Sequence, residues 1–149
     1  MIYLASDHAG FELKEKLKKY LQEELGQETH DMGAFAIDNN DDYPDFIIPT
    51  AQKVAEDPER NRGIISGGSG QGEAIAANKV KGIRAAVYYG GSMELVERSR
   101  SHNNTNILSL GARFISDKEA KDAVKIWLET EFEGGRHERR INKISEFEN

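Results

Sequence analysis

The run Gly67-Gly68-Ser69-Gly70-Gln71-Gly72, followed at once by Glu73, is where this sequence is most able to do chemistry. Glycines at four of those six positions let the backbone adopt positive φ and approach a ligand closely. A helix starting after the loop aims its free N–H groups and the positive end of its dipole at the same point. A carboxylate beside such a nest of amides can take a proton from one carbon and return it to the next. The amides meanwhile hold the oxyanion formed between the two steps, which is the requirement of aldose–ketose interconversion. The competing readings are a plain tight turn, with Glu73 merely complementing a helix dipole, and a dinucleotide loop. The spacing Gly68-x-Gly70-x-Gly72 lacks the G-x-G-x-x-G order, and no Gly-Lys-Ser/Thr follows to make a P-loop.

Three further groups stand out. Asp7-His8 follows the first apolar run, where Asp7 suits either a ligand contact or a cap for a helix beginning near Gly10. His102-Asn103-Asn104 fits a helix end with an asparagine in the left-handed conformation, or a proton-transferring imidazole with its polar neighbours. Arg136, His137, Arg139 and Arg140 form a cationic cluster in an acidic chain, either a solvated helix face balanced by Glu133 and Glu138 or a grip for a phosphate. The four histidines are widely separated and none has a metal-ligand spacing, so no metal is expected; His30 has no assigned role.

Alternating short apolar runs and amphipathic runs must position these residues. Strands are predicted at Met1–Ser6, Gln27–Met32, Gly63–Ser66, Ile83–Tyr88 and Ile107–Leu110. Helices are predicted from Phe11 to about Leu25, from Pro44 to about Glu56, over Glu73–Val80, Ser92–Ser101 and Asp117–Glu131, with a last short helix after Gly134-Gly135. This order implies an α/β fold, a three-layer α/β/α sandwich around a Rossmann-like five-stranded parallel sheet. Ligands in such sheets sit outside the carboxyl ends of strands. Asp7-His8 and the glycine loop are at that end, whereas His102-Asn103 lies at the opposite end of its own strand.

At 149 residues the chain is sized for one domain. It has no cysteine, which excludes disulfides, thiolate metal sites and cysteine nucleophiles. The net charge of −6 argues against a nucleic-acid partner, and no apolar run approaches the roughly 20 residues needed to cross a bilayer. A charge as early as Asp7 is unlike a signal peptide, so a cytoplasmic setting is expected.

The segments Ala5–Gly10, Gly67–Glu73, Ile75–Lys79, His102–Asn104 and Gly134–His137, in this order across nearly the whole chain, resemble the ribose-5-phosphate isomerase B family, which includes the galactose-6-phosphate isomerase subunits. The resemblance implies isomerisation of ribose 5-phosphate and ribulose 5-phosphate through a cis-enediolate without a cofactor. Many members carry a catalytic cysteine at the position of Gly67; this sequence resembles the branch in which the glutamate matching Glu73 is the base. By the same resemblance His102 protonates the ring oxygen, and Ser69 helps pass protons between substrate oxygens. Asp7, His8 and Asn103 contact substrate, and the backbone of Gly68, Ser69, Gly70, Gln71 and Gly72 binds the enediolate. Arg113, Arg136 and Arg140 hold substrate and phosphate. The family's active sites lie between subunits. The resemblance therefore implies a homodimer or homotetramer, its tail helix at about 136–148 packing on a partner so that His102 and the arginines reach a neighbouring pocket. The rival readings are a six-carbon isomerase for allose or galactose 6-phosphate, a non-catalytic phosphosugar-binding subunit, and a nucleotide-binding module. The loop Ala34–Tyr43 faces the sugar end but contains nothing that selects five carbons over six.

Overall fold

The computed structural model describes residues 1–149. Five strands, β1 (Ile2–Ser6), β2 (Thr29–Asp31), β3 (Arg62–Gly67), β4 (Ala85–Tyr88) and β5 (Ile107–Gly111), form one parallel sheet in the order β2-β1-β3-β5-β4. The central strands β1 and β5 are buried almost end to end, as strands covered on both faces are. The direction of winding changes between β1 and β3, so their carboxyl ends open a crevice.

Helices α1 (Phe11–Glu23), α4 (Met93–Ser101) and α5 (Asp117–Glu129) cover one face of the sheet; α2 (Pro44–Ala55) and α3 (Gln71–Ala77) cover the other. Leu13, Leu17 and Leu21 recur on the buried side of α1 and meet Val124 and Trp127 of α5. Ile47, Ala51 and Val54 of α2 pack with Ile65, Ile107 and Ala77 on the second face. The three-layer expectation is therefore met. α5 starts at a full capping box between Ser116 and Glu119. No helix is long and apolar enough to cross a membrane.

Some boundaries differ from expectation, each for a local reason. β2 is shorter because Gln27 N–H turns back to the Leu21 carbonyl, and pairing begins only at Ile2 opposite Thr29. β4 starts two residues late because the Asn106 side chain takes the Arg84 N–H at 2.8 Å, leaving Ala85 opposite Ile107 as the first pair. α3 begins at Gln71 rather than Glu73, with Gly70 at φ 78° as its cap. That left-handed value suits glycine, and it sets Glu73 at the third position of the helix's first turn rather than at its first residue.

The last helix, α6 (Arg136–Glu148), follows Gly134 and Gly135, both at positive φ, and buries only His137 and Ile141. Its other apolar residues point outward, Phe147 being 91% exposed.

Candidate active site

At the carboxyl ends of β1, β3 and β5 the chain turns three times, and these turns bring Asp7, His8, Gly67–Gly72 and Arg113 together. The Ala112 and Arg113 N–H groups donate to the Gly67 and Gly68 carbonyls at 2.8 and 3.1 Å, which lays the Arg113 strand-end alongside the glycine loop. A side chain on Gly68 would lie 3.2 Å from Arg113 Nη1, so the guanidinium covers that edge of the loop. Ser109 Oγ donates to the Gly70 carbonyl at 2.7 Å and anchors the loop's far side. Ser69 Oγ accepts the Gln71 N–H at 3.3 Å.

Glu73 enters this crevice from the first turn of α3. It is 4% exposed, and its carboxylate occupies the space that a Cβ on Gly67 would fill. Burial pushes the Glu73 carboxyl above the ordinary carboxylate range; its own backbone N–H opposes the shift, and the negative Asp7 adds to it. A carboxyl held there keeps its proton to higher pH than a solvated glutamate does, the property required of a group that takes up and returns a proton. Because α3 has only seven residues, the donors on offer to an anion here are the loop amides rather than a long helix dipole.

Asp7 Oδ1 accepts the Ala9 and Gly10 N–H groups at 2.9 and 3.2 Å. Of the two roles open to Asp7, the structure shows the capping one: its carboxylate closes the turn that leads into α1, whose own N-cap residue, Gly10, has no side chain to offer. His8 Nδ1 lies 2.6 Å from Asp41 Oδ1, a contact not foreseen in the sequence. Tyr43, at the start of α2, closes over the loop; a side chain on Gly72 would come within 2.7 Å of its ring.

The remaining candidates assemble elsewhere. His102 caps the end of α4, before β5, and with Asn103, His137 and Arg140 it lines a hollow of about 200 Å³ between α4 and α6. Arg136 is exposed at the first position of α6. The His102 and His137 rings stack with centroids 4.0 Å apart and planes 16° apart. Their Nε2 atoms lie 3.8 and 3.4 Å from Glu133 Oε2. Sequence separation was therefore a poor reason to expect no shared histidine site. The ligand atoms of His102, Glu133 and His137 all lie within 4.8 Å of one another. Burial, then the neighbouring His102, Arg136 and Arg140, lower the His137 pKa and favour its neutral ring, with Glu133 acting against them. Asn104, held at φ 45° by the N–H-to-carbonyl bond to Arg100, ends α4 in the left-handed conformation expected of it.

Within one chain the two groups of residues sit at opposite ends of the sheet. Glu73 and the glycine loop lack the arginine tail, and His102 lacks a base.

Comparison with known proteins identifies the family. The family model described as Ribose/Galactose Isomerase matches residues 2–144. Ribose-5-phosphate isomerase B of Mycolicibacterium paratuberculosis is 43% identical over 148 residues, covering 99% of this chain and 91% of the relative. The crystal structure of ribose-5-phosphate isomerase B from Mycoplasma genitalium with bound ribulose 5-phosphate superposes with a TM-score of 0.94 at 41% identity, covering 99% of this chain and 95% of that one. The Thermotoga maritima ribose 5-phosphate isomerase B superposes with a TM-score of 0.89 at 46% identity, covering 97% of each chain. Geometry and relatives together place this chain in the ribose/galactose isomerase family, among the ribose-5-phosphate isomerases of type B.

Proposed function

We infer that this protein interconverts ribose 5-phosphate and ribulose 5-phosphate, with Glu73 as the base. The observation that carries the reading is the Glu73 carboxylate, buried and raised in pKa, set against Gly67 at the mouth of a loop rich in free amides.

In the proposed sequence His102 assists opening of the sugar ring by giving a proton to the ring oxygen as the C1–O bond breaks, while the anomeric hydroxyl releases its own proton to solvent, from which the imidazole is reprotonated. Glu73 then removes the proton from C2 of the open aldose, leaving a cis-enediolate whose negative oxygen accepts N–H donors from Gly68–Gly72. Ser69 passes a proton between O2 and O1, and protonated Glu73 returns its proton to C1 to give the ketose. Acid and base are one group in two states, so no external proton is consumed. Asp7, His8 and Asn103 hold substrate hydroxyls, while Arg113, Arg136 and Arg140 neutralise the phosphate.

Because the two residue groups lie at opposite ends of the sheet, the site is assigned to an interface between subunits. The pairing is supported by α6, whose outward apolar residues and two-glycine lead suit packing on a neighbour. A homodimer, or a homotetramer built from it, completes each pocket with His102, Asn103 and the tail arginines of a second copy. The setting assigned is the cytoplasm, where phosphorylated sugars are retained by their charge.

A turnover panel of five- and six-carbon sugar phosphates with the purified protein tests the assignment. Turnover of ribose 5-phosphate supports it. Selective turnover of allose or galactose 6-phosphate moves the protein to the six-carbon reading, and binding without turnover makes it a phosphosugar-binding subunit.

A further inference from the structure

Residues 33–43 leave β2 and pass over the carboxyl ends of the strands before α2. Phe35, Ile37, Asp38, Asn39 and Asn40 are exposed along this stretch, but Asp41 turns inward and its side chain is 9% exposed. One oxygen, Asp41 Oδ1, accepts from two donors of the same residue: the His8 backbone N–H at 3.2 Å and His8 Nδ1 at 2.6 Å. Two contacts on one acceptor fix both the turn after β1 and the rotation of the imidazole. With Nδ1 committed to Asp41, Nε2 is the ring atom left free, without a partner in the chain and on a side chain that is 25% exposed.

The charges facing His8 come from three elements: Asp7 beside it on the turn after β1, Asp41 from the loop before α2, and Arg113 from the turn after β5. The hydrogen bond to Asp41 is the largest influence and raises the His8 pKa; desolvation opposes it, Asp7 and the Asp41 charge add to it, and Arg113 acts against it.

We propose that Asp41 is a positioning residue: it locks the His8 ring with Nε2 toward the substrate and, through that contact, couples docking of the 33–43 loop to sugar-phosphate binding. Asp41 does not itself touch the reacting atoms. The His8–Asp41 contact is a property of the chain alone, whereas its effect on turnover rests on the isomerase reading above.

Two measurements on the full-length protein separate these. The first is an NMR titration of the His8 imidazole, without substrate, in wild type and Asp41→Asn. Asparagine keeps an oxygen acceptor but loses the charge, so His8 should titrate at lower pH in the variant. An identical titration overturns the proposal, whatever the enzyme turns over. The second is the pH dependence of KM for ribose 5-phosphate in wild type, Asp41→Asn and Asp41→Ala. In the pH window between the two His8 titrations, Asp41→Asn should raise KM about tenfold with little change in kcat, as expected for a weakened charge-assisted hydrogen bond. Below both titrations its KM should return to the wild-type value, whereas Asp41→Ala, having lost the acceptor as well, should stay impaired. A KM that keeps the wild-type pH profile in Asp41→Asn overturns the coupling to binding. Thermal unfolding shows whether Asp41→Ala is folded; should it not be, Asp41→Asn carries the test.

Discussion

The Glu73 carboxylate and residue 67 claim the same volume: the space a methyl group would need on Gly67 is already filled by the Glu73 side chain. A base delivered from α3 and a side chain delivered from the end of β3 are thus alternatives in this backbone. The glycine is needed for what it leaves empty.

Gly67→Ala should therefore push the carboxylate out of the crevice. Moving a reacting group by about 1 Å costs up to about 10²-fold in rate, so kcat should fall by at least tenfold with little change in phosphate affinity. Steady-state kinetics beside phosphate binding decide it; an unaltered kcat would show that the carboxylate need not lie where it does.

Glu73→Gln should lose kcat by about 10²-fold or more while substrate still binds, the usual scale for removing a general base. In the wild type, kcat/KM should fall on the acid side at a pH above the ordinary carboxylate range, because burial holds the Glu73 proton more tightly. A limb at the pH of a solvated glutamate would contradict that environment.

The same substitution has a consequence for stability. A carboxyl whose folded pKa is raised binds its proton in the native state at pH values where the unfolded chain has released it, so stability falls as pH rises through that interval. Glu73→Gln removes the titration. Its melting temperature should match the wild type under acid conditions below the ordinary glutamate pKa and exceed it at neutral pH. A constant difference across the whole range would rule out the linkage.

Arg140→Ala should raise KM strongly and leave kcat nearly unchanged, since a phosphate contact shared by ground and transition states contributes uniform binding. An unchanged KM would place Arg140 outside the pocket.

Mixing two inactive variants tests whether the pocket is shared. In a dimer built from Glu73→Gln and His102→Gln chains, one pocket carries both lesions and the other neither. Random reassortment should restore about a quarter of wild-type activity. No recovery after confirmed exchange of subunits would mean that each site belongs to a single chain.

Much of this was legible from periodicity. Leu13, Leu17 and Leu21 announced α1, the apolar runs announced the central strands, and the glycine loop marked the crevice beside β3. What escaped was set by tertiary placement. Asp41 stands in the polar run Asp38-Asn39-Asn40-Asp41-Asp42, where nothing in the spacing separates the one inward carboxylate from its solvated neighbours. The stacking of His102 on His137 depends on how α6 returns to α4, information carried by no local pattern. The early start of α3 turned on a single left-handed glycine. The placement of Glu73 against the loop is legible because its signal is local, a carboxylate next to a run of glycines.

A pocket shared between two copies, as proposed, would tie catalytic competence to mass action. On its own subunit α6 buries only His137 and Ile141 and reaches the Gly82 N–H through Glu148, so most of its length is left for a second copy to cover. On dilution below the dissociation constant of such an assembly, activity should vanish ahead of any loss of the sheet, leaving folded but silent single chains.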